Sequence, residues 1–148
     1  GAQATTIRAG DFDRDGDLDL AIVTGTRLGL RSNNGFGVFT DSTATSGIPT
    51  PPSISGNLVV ADLDGDGDLD VLGSYAPPSL RRMLLDNNGS GRFVDVGATR
   101  FRDSSAVSPS AWELEVADID DDGDLDVATH TDQSGSPFTA ILTTICDS

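Results

Sequence analysis

Most of the side chains that enzymes use for catalysis are scarce in this sequence. It contains one histidine, His130, one cysteine, Cys146, and no lysine. It has no Gly-x-Ser-x-Gly motif, phosphate-binding loop or Cys/His arrangement, and a lone histidine after a strand is more typical of packing than of catalysis. We therefore expect that the chain is not an enzyme. The same scarcity argues against zinc, which is bound mainly by cysteine and histidine.

Long apolar runs and positive charges are also scarce. No apolar run approaches the roughly 18 residues that a membrane-spanning helix needs, so we expect no membrane span. Nine basic residues, all arginine, stand against 24 acidic ones, which gives a net charge of −15. A surface this acidic cannot displace counterions from phosphates, and we therefore exclude nucleic acid as a partner. The 148 residues suffice for one domain with a buried core.

The negative charge is concentrated in three nine-residue stretches, which hold 16 of the 24 acidic residues. Each has aspartate at positions 1, 3, 5, 7 and 9 and glycine at position 6. An acidic run usually forms a solvated surface or a disordered tail, but the strict alternation, the shared glycine and the apolar flanks predict an ordered loop. The alternating aspartates are Asp11, Asp13, Asp15, Asp17, Asp19, Asp62, Asp64, Asp66, Asp68, Asp70, Asp118, Asp120, Asp122, Asp124 and Asp126.

The acidic loops mark an internal repeat, since they begin at residues 11, 62 and 118. Self-similarity at a nearly fixed period indicates a repeat architecture. Each loop lies between two strand-like segments, a third follows, and Asn-Gly turns at 34–35 and 88–89 predict hairpins to a fourth strand in the first two copies. No segment has a helical period with caps. The predicted strands are 5–9, 20–23 and 27–31, then 57–61, 71–74 and 80–85, then 112–117, 127–129 and 138–145.

The acidic loops have the donor set of a hard cation. Aspartates at positions 1, 3, 5 and 9 offer carboxylate oxygens and position 7 offers its backbone carbonyl, an all-oxygen set that favours Ca²⁺ over Mg²⁺ in a flexible loop. We therefore predict three Ca²⁺ sites. The loops are not EF-hands, because position 12 is Ile22, Gly73 or Thr129 instead of glutamate and the flanks are strand-like.

A family resemblance follows from these motifs. Asp-x-Asp-x-Asp-Gly-x-x-Asp between two strands, with Asn-Asn-Gly-x-Gly-x-Phe downstream in the first two copies, resembles the FG-GAP/VCBS repeat family. That family includes the calcium-binding blades of integrin α-subunit β-propellers and many secreted bacterial and fungal proteins. The resemblance covers nearly the whole chain. It implies an all-β fold of propeller-type blades with four antiparallel strands each, and calcium ligands at the alternating aspartates.

The resemblance also implies an incomplete ring. We assign one repeat domain, 1–148, with blade 1 at about 1–48, blade 2 at about 53–102 and a partial blade 3 at about 108–148, or about 2.75 blades. Because propellers close with four to eight blades, the chain is either part of a larger propeller or an open arc that assembles. The expected partners are other copies of the chain, which would supply the missing strand, or the missing remainder of a longer protein.

We expect calcium mainly to stabilise a non-catalytic module that serves adhesion or self-assembly into a ring, arc or filament. Calcium loops and the Ala-x-Ala form of residues 2–4 favour a secreted or cell-surface protein. Two alternatives stay open: a carbohydrate-binding propeller lectin, in which Trp112 stacks on a sugar instead of packing between blades, and a non-catalytic domain of a larger secreted enzyme. Glycans and extracellular proteins are further candidate partners.

Two single residues are candidates for covalent modification. Asn88 begins a glycosylation sequon with Gly89 and Ser90, although the same residues also explain a hairpin turn. Cys146 has no partner within the chain and is either a reduced thiol or a link to another subunit.

Overall fold

The structure, a computed structural model, describes residues 4–49, 53–76, 82–101 and 113–130. Apart from one four-residue helix, all the regular secondary structure of this part of the chain is β-strand, which confirms the expected all-β class. None of its helices is both long and apolar enough to cross a membrane. The elements in chain order are β1 (Ala4–Gly10), β2 (Asp19–Thr24), β3 (Arg27–Asn33), β4 (Phe39–Asp41), β5 (Ile54–Ala61), β6 (Asp70–Tyr75), β7 (Arg82–Asn87), β8 (Phe93–Asp95), α1 (Gly97–Arg100), β9 (Glu113–Ala117) and β10 (Asp126–His130).

The strands form antiparallel sheets that repeat along the chain. The first has the order β1-β2-β3-β4 and the second β5-β6-β7-β8, so strands adjacent in sequence also pair. β9 pairs with β10 as β1 pairs with β2. We call the first sheet blade 1, the second sheet blade 2 and the pair β9–β10 the third hairpin. The strand expected at 138–145 lies outside the described residues, and the limits assigned to the copies stay predictions.

The central strands of the two blades differ in how many of their faces are covered. In β2, Ala21 and Val23 are buried and alternate with partly exposed neighbours, as in a strand with one covered face. β6 is buried at all six positions. Both of its faces are covered, because blade 2 packs against blade 1 on one side and the third hairpin on the other.

Two apolar cores hold the sheets side by side. The first lies between blade 1 and blade 2 and includes Phe12 and Phe93. The second lies between blade 2 and the third hairpin and includes Leu63, Leu114 and Val127. β1 also contacts β5, and β5 contacts β9. The first strands of successive sheets are therefore neighbours, as they are around the axis of a propeller.

The short helix α1 differs from the sequence analysis, which predicted no helix. Its one turn closes through hydrogen bonds from Phe101 N–H to the Gly97 carbonyl at 3.2 Å and from the Thr99 hydroxyl to the Val96 carbonyl at 2.9 Å. Four residues are too few to produce a helical period, so no pattern marked it. A Cβ at Gly97 would lie 2.5 Å from the Arg82 carbonyl oxygen, so glycine lets α1 pack directly against β7.

Candidate metal centres

Each acidic loop is folded by the aspartate at its first position. We call residues 11–19, 62–70 and 118–126 loops 1, 2 and 3. One carboxylate oxygen of that aspartate accepts the N–H of the glycine at position 6, whose φ is positive in all three loops, a conformation that favours glycine. The N···O distances are 3.0 Å from Gly16 to Asp11, 2.9 Å from Gly67 to Asp62 and 3.0 Å from Gly123 to Asp118.

The aspartate at position 9 ties the loop to its sheet. Asp70 accepts hydrogen bonds from the backbone N–H groups of Leu63 and Asn87, both at 2.9 Å. Burial raises the pKa of Asp70 to about 7, although both hydrogen bonds oppose the shift. The equivalent bonds of loop 1 reach Asp19 from Phe12 at 3.1 Å and from Asn33 at 2.8 Å. In loops 1 and 2, one carboxylate therefore holds both the start of the loop and the end of the third strand.

Positions 1, 3 and 5 of each loop form a carboxylate trio. In every trio, one oxygen from each aspartate lies within 4.8 Å of the other two, so the three could contact one metal ion. Oδ1 of Asp11 is buried without a hydrogen-bond partner, and a cation would satisfy this acceptor. Burial and the charges of nearby aspartates raise the pKa of Asp13. The trios are Asp11, Asp13 and Asp15; Asp62, Asp64 and Asp66; and Asp118, Asp120 and Asp122.

Positions 7 and 9 were predicted as further ligands, and the structure gives them additional roles. The Asp17 carboxylate lies against the hairpin glycine Gly35, where a Cβ would come within 2.5 Å of Oδ2. Asp68 lies against Gly89 in the same way, at 2.7 Å. The position-9 carboxylates of loops 1 and 2 already accept two N–H groups each, so they would reach an ion only through their remaining lone pairs. Ligation by positions 7 and 9 stays a prediction.

Loop 1 is bonded to blade 2 as well as to its own sheet. The Phe12 carbonyl accepts hydrogen bonds from Asn87 Nδ2 at 2.9 Å and from the Gly91 N–H at 2.8 Å. The Phe12 ring meets the Phe93 ring edge-on, with centroids 5.8 Å apart, a favoured aromatic geometry. The first candidate metal centre therefore forms part of the contact between two blades.

Sequence reasoning missed the polar residues of this contact. Arg14, at position 4 of loop 1, forms an ion pair with Asp68 of loop 2, with 2.5 Å between Nε and Oδ1. Asn87 was interpreted only as part of a hairpin turn, yet its side chain also joins the two blades. The one available signal was the presence of asparagine at the same turn position in both copies, Asn33 and Asn87.

The remaining candidate residues stay predictions. Asn88 is exposed at the β7–β8 turn, where its Oδ1 accepts the N–H of Ser90 at 3.2 Å and the Ser90 hydroxyl at 2.7 Å. The sequon is thus accessible and also builds the turn. Trp112 and Cys146 lie outside the described residues, and His130 is described only as the last residue of β10.

Two four-stranded sheets and a third hairpin, each with a carboxylate trio in the loop between its first two strands, define a protein built from propeller-type blades. The sequence model of the FG-GAP-like repeat matches residues 11–73, which include loops 1 and 2. The chain therefore carries an FG-GAP-like repeat, and the resemblance based on its motifs is confirmed.

Similar sequences occur within a longer protein. Cartilage acidic protein 1 of Mus musculus is 30% identical over 99 residues, which make up 66% of this chain and 15% of that protein. The protein of the same name from Homo sapiens is 29% identical over 99 residues, or 66% of this chain and 14% of that protein. The chain thus spans about 15% of the length of these relatives.

Proposed function

We propose that the chain is a calcium-stabilised, non-catalytic segment of an extracellular repeat protein and serves adhesion or structural assembly. The observation that carries this proposal is the recurrence of one carboxylate trio, in all three loops, at the same place in the fold. The aspartates that would hold the ions are those at positions 1, 3 and 5. The buried, unsatisfied oxygen of Asp11 supports the fit of a cation in loop 1.

The donor chemistry favours calcium over other metals. The trios offer only carboxylate oxygen on loops, and Ca²⁺ accepts six to eight oxygens in adaptable geometry, whereas Mg²⁺ demands a near-ideal octahedron. Loops 1, 2 and 3 themselves contain no histidine or cysteine, the residues that zinc and copper prefer. A bound Ca²⁺ would offset the repulsion between the aspartates of a trio.

Calcium bound in loop 1 would stabilise more than that loop. Binding energy gained only in the folded state adds to the free energy of unfolding, by about 2.7 kcal/mol when the free ion is at a hundred times its dissociation constant. Because the Phe12 carbonyl accepts hydrogen bonds from blade 2, an ordered loop 1 also supports the contact between blades. Stabilisation is therefore the primary role that we assign to the ion.

We infer the extracellular location from the calcium concentration that such loops need to be occupied. Flexible oxygen-ligand loops in extracellular modules bind Ca²⁺ with dissociation constants of about 10⁻⁴ to 10⁻³ M, which requires a calcium-rich compartment. The similar proteins are named for cartilage and for acidity, and this chain carries a net charge of −15. The word cartilage in the name of these proteins and the calcium demand of the loops support a secreted or cell-surface protein.

Thermal unfolding with and without calcium tests the proposal. The melting temperature of the full chain should be higher in millimolar CaCl₂ than in excess EGTA, and Asp13→Asn should reduce the difference. Asp41→Asn is the matched control, because Asp41 is an exposed aspartate outside the loops and its loss should leave the calcium effect unchanged. An equal melting temperature in CaCl₂ and EGTA would contradict the proposal.

A further inference from the structure

The contact between blade 1 and blade 2 shows what covers the hairpin face of a blade. On blade 2 this face is formed by Leu69, Asn87, Gly91 and Phe93, and loop 1 lies on it. Phe93 is 3% exposed, and Leu69 packs against the first apolar core. Asn87 Nδ2 donates both to the Leu69 carbonyl of its own blade, at 3.1 Å, and to the Phe12 carbonyl of loop 1.

Blade 1 has the same hairpin face, built from Leu18, Asn33, Gly37 and Phe39, but nothing in the described residues covers it. We call these four residues the docking face. Phe39 is 43% exposed and Leu18 is 60% exposed.

Two hydrogen-bond donors of the docking face also lack a partner on another blade among the described residues. Asn33 Nδ2 donates to the Leu18 carbonyl at 3.2 Å, just as Asn87 Nδ2 donates to the Leu69 carbonyl. Asn87 Nδ2 makes a second bond, to the Phe12 carbonyl of the neighbouring blade, and Asn33 Nδ2 makes no such second bond within the described ranges. The Gly37 N–H, equivalent to that of Gly91, makes no hydrogen bond within the described ranges. The docking face therefore offers two donors and an apolar surface in the arrangement that receives loop 1 on blade 2.

Loop 3, near the other end of the described chain, has the features of the surface that would fit the docking face. Loop 3 repeats the internal bonds of loop 1, with Ile119 N–H donating to Asp126 at 3.2 Å and Gly123 N–H donating to Asp118. Ile119 occupies position 2, as Phe12 does in loop 1. Ile119 is nevertheless 47% exposed, whereas Phe12 is 2% exposed. Loop 3 has thus formed without a described hairpin face to cover its apolar side chain.

We propose that loop 3 of one copy binds the docking face of a second copy, so that copies associate head to tail. Ile119 would pack against Phe39 of the next copy, and its carbonyl would accept hydrogen bonds from Asn33 Nδ2 and the Gly37 N–H. The contact continues the one that blade 1 and blade 2 already make, and it is heterologous, since two different surfaces meet. The inference rests on the proposed function in one respect, namely that Ca²⁺ orders loop 3.

Charge makes this junction weaker than the internal one. The internal contact pairs Arg14 with Asp68. At the junction between copies, Asp121 of loop 3 takes the place of Arg14 and shares its positive φ. Asp17 of the second copy takes the place of Asp68. Two carboxylates would then face each other, so association should strengthen with calcium and with ionic strength, which screens the repulsion. Replacing Asp121 by arginine should restore the pair and tighten association.

Analytical ultracentrifugation of the full chain in CaCl₂ tests the junction. The chain should associate in a concentration-dependent way, and Phe39→Asp or Ile119→Asp should each weaken association by at least about tenfold, or 1.4 kcal/mol. Asp121→Arg should tighten it by about as much. Val94→Asp is the matched control, because Val94 is an exposed apolar residue of β8, outside both surfaces, and it should leave association unchanged.

Mixing the two blocked variants separates head-to-tail docking from other contacts. Phe39→Asp retains loop 3, and Ile119→Asp retains the docking face, so each should be monomeric alone and the mixture should form a one-to-one dimer that grows no further. A wild-type chain that binds calcium, remains folded and stays monomeric would overturn the inference while leaving the calcium proposal intact. Association that survives both substitutions would overturn it as well. Loss of calcium-dependent melting would count against the proposed function instead.

Discussion

Blade 1 and blade 2 have the same strand order and nearly the same hydrogen bonds around their acidic loops, yet they differ in burial. Phe93 of blade 2 is buried, whereas Phe39, at the same turn position of blade 1, is half exposed. β6 is covered on both faces and β2 on one. The difference shows that each blade supplies its own geometry, while its neighbours supply much of its burial, as in other repeat proteins.

The largest expected effect comes from truncating the same turn position in both blades. Phe93→Ala should lower the free energy of unfolding by about 3–5 kcal/mol, because a buried aromatic ring is lost from the core between the blades. Phe39→Ala should cost about 0.5 kcal/mol, as at an exposed site. Urea denaturation at a concentration where the chain is monomeric measures both. Equal costs would mean that the two positions are equally covered in solution.

The second prediction concerns a feature that the two blades share. Asp19→Ala and Asp70→Ala each remove the acceptor of two N–H groups. Leaving a buried donor unsatisfied costs about 1–3 kcal/mol, so we expect each variant to lose about 3 kcal/mol in EGTA, where ligation does not contribute. A large difference between the two, measured by urea denaturation, would show that loop geometry depends on the neighbouring blade after all.

Third, calcium should act differently at a covered and an exposed loop. Asp13→Asn in loop 1 and Asp120→Asn in loop 3 should each reduce the number of bound ions from three to two in isothermal titration calorimetry, because each removes one carboxylate of a trio. The fall in the calcium-dependent melting shift should be larger for Asp13→Asn, since loop 1 also supports the contact with blade 2. Equal falls would indicate that calcium acts on each loop alone.

The smallest effect is expected at the ion pair between the blades. Arg14 is about half exposed while its partner Asp68 is buried, so we expect the upper end of the roughly 0.2–1 kcal/mol that exposed ion pairs contribute. Arg14→Ala should therefore destabilise the chain by at most about 1 kcal/mol, and less in high salt. Arg92→Ala is the control, because Arg92 is exposed on blade 2. A loss above the range of a surface pair, measured by urea denaturation at two salt concentrations, would assign Arg14 a larger role.

The sequence predicted what is encoded locally. Asn-Gly turns, the alternation of strand residues and the Asp-rich loops placed the ten described strands near their observed positions, because each signal lies within a few residues. It also named the alternating aspartates as ligands, and the structure brings those at positions 1, 3 and 5 together in carboxylate trios.

Contacts between blades could not be predicted in the same way. Asn87 and Phe12 are 75 residues apart in the chain, and nothing in either neighbourhood indicates the other. Similarly, position 9 looked like a simple ligand, because the backbone donors that occupy Asp70 become visible only when β7 is placed beside loop 2. Helix α1 is held by its close approach to β7 and left no period in the sequence.

The packing of the Phe12 ring against Phe93 of blade 2 has a consequence for how such a chain evolves. The side chain at position 2 of a loop is selected by the next repeat along the chain, not by the repeat that encodes it. Duplicating a whole repeat preserves every contact, since each new copy brings both a loop and a face. Exchanging a single loop between repeats would instead separate partners that had adapted to each other. Inheritance should therefore keep a loop together with the hairpin of the next blade, and this pair spans more than one repeat, since Phe12 and Asn87 are 75 residues apart.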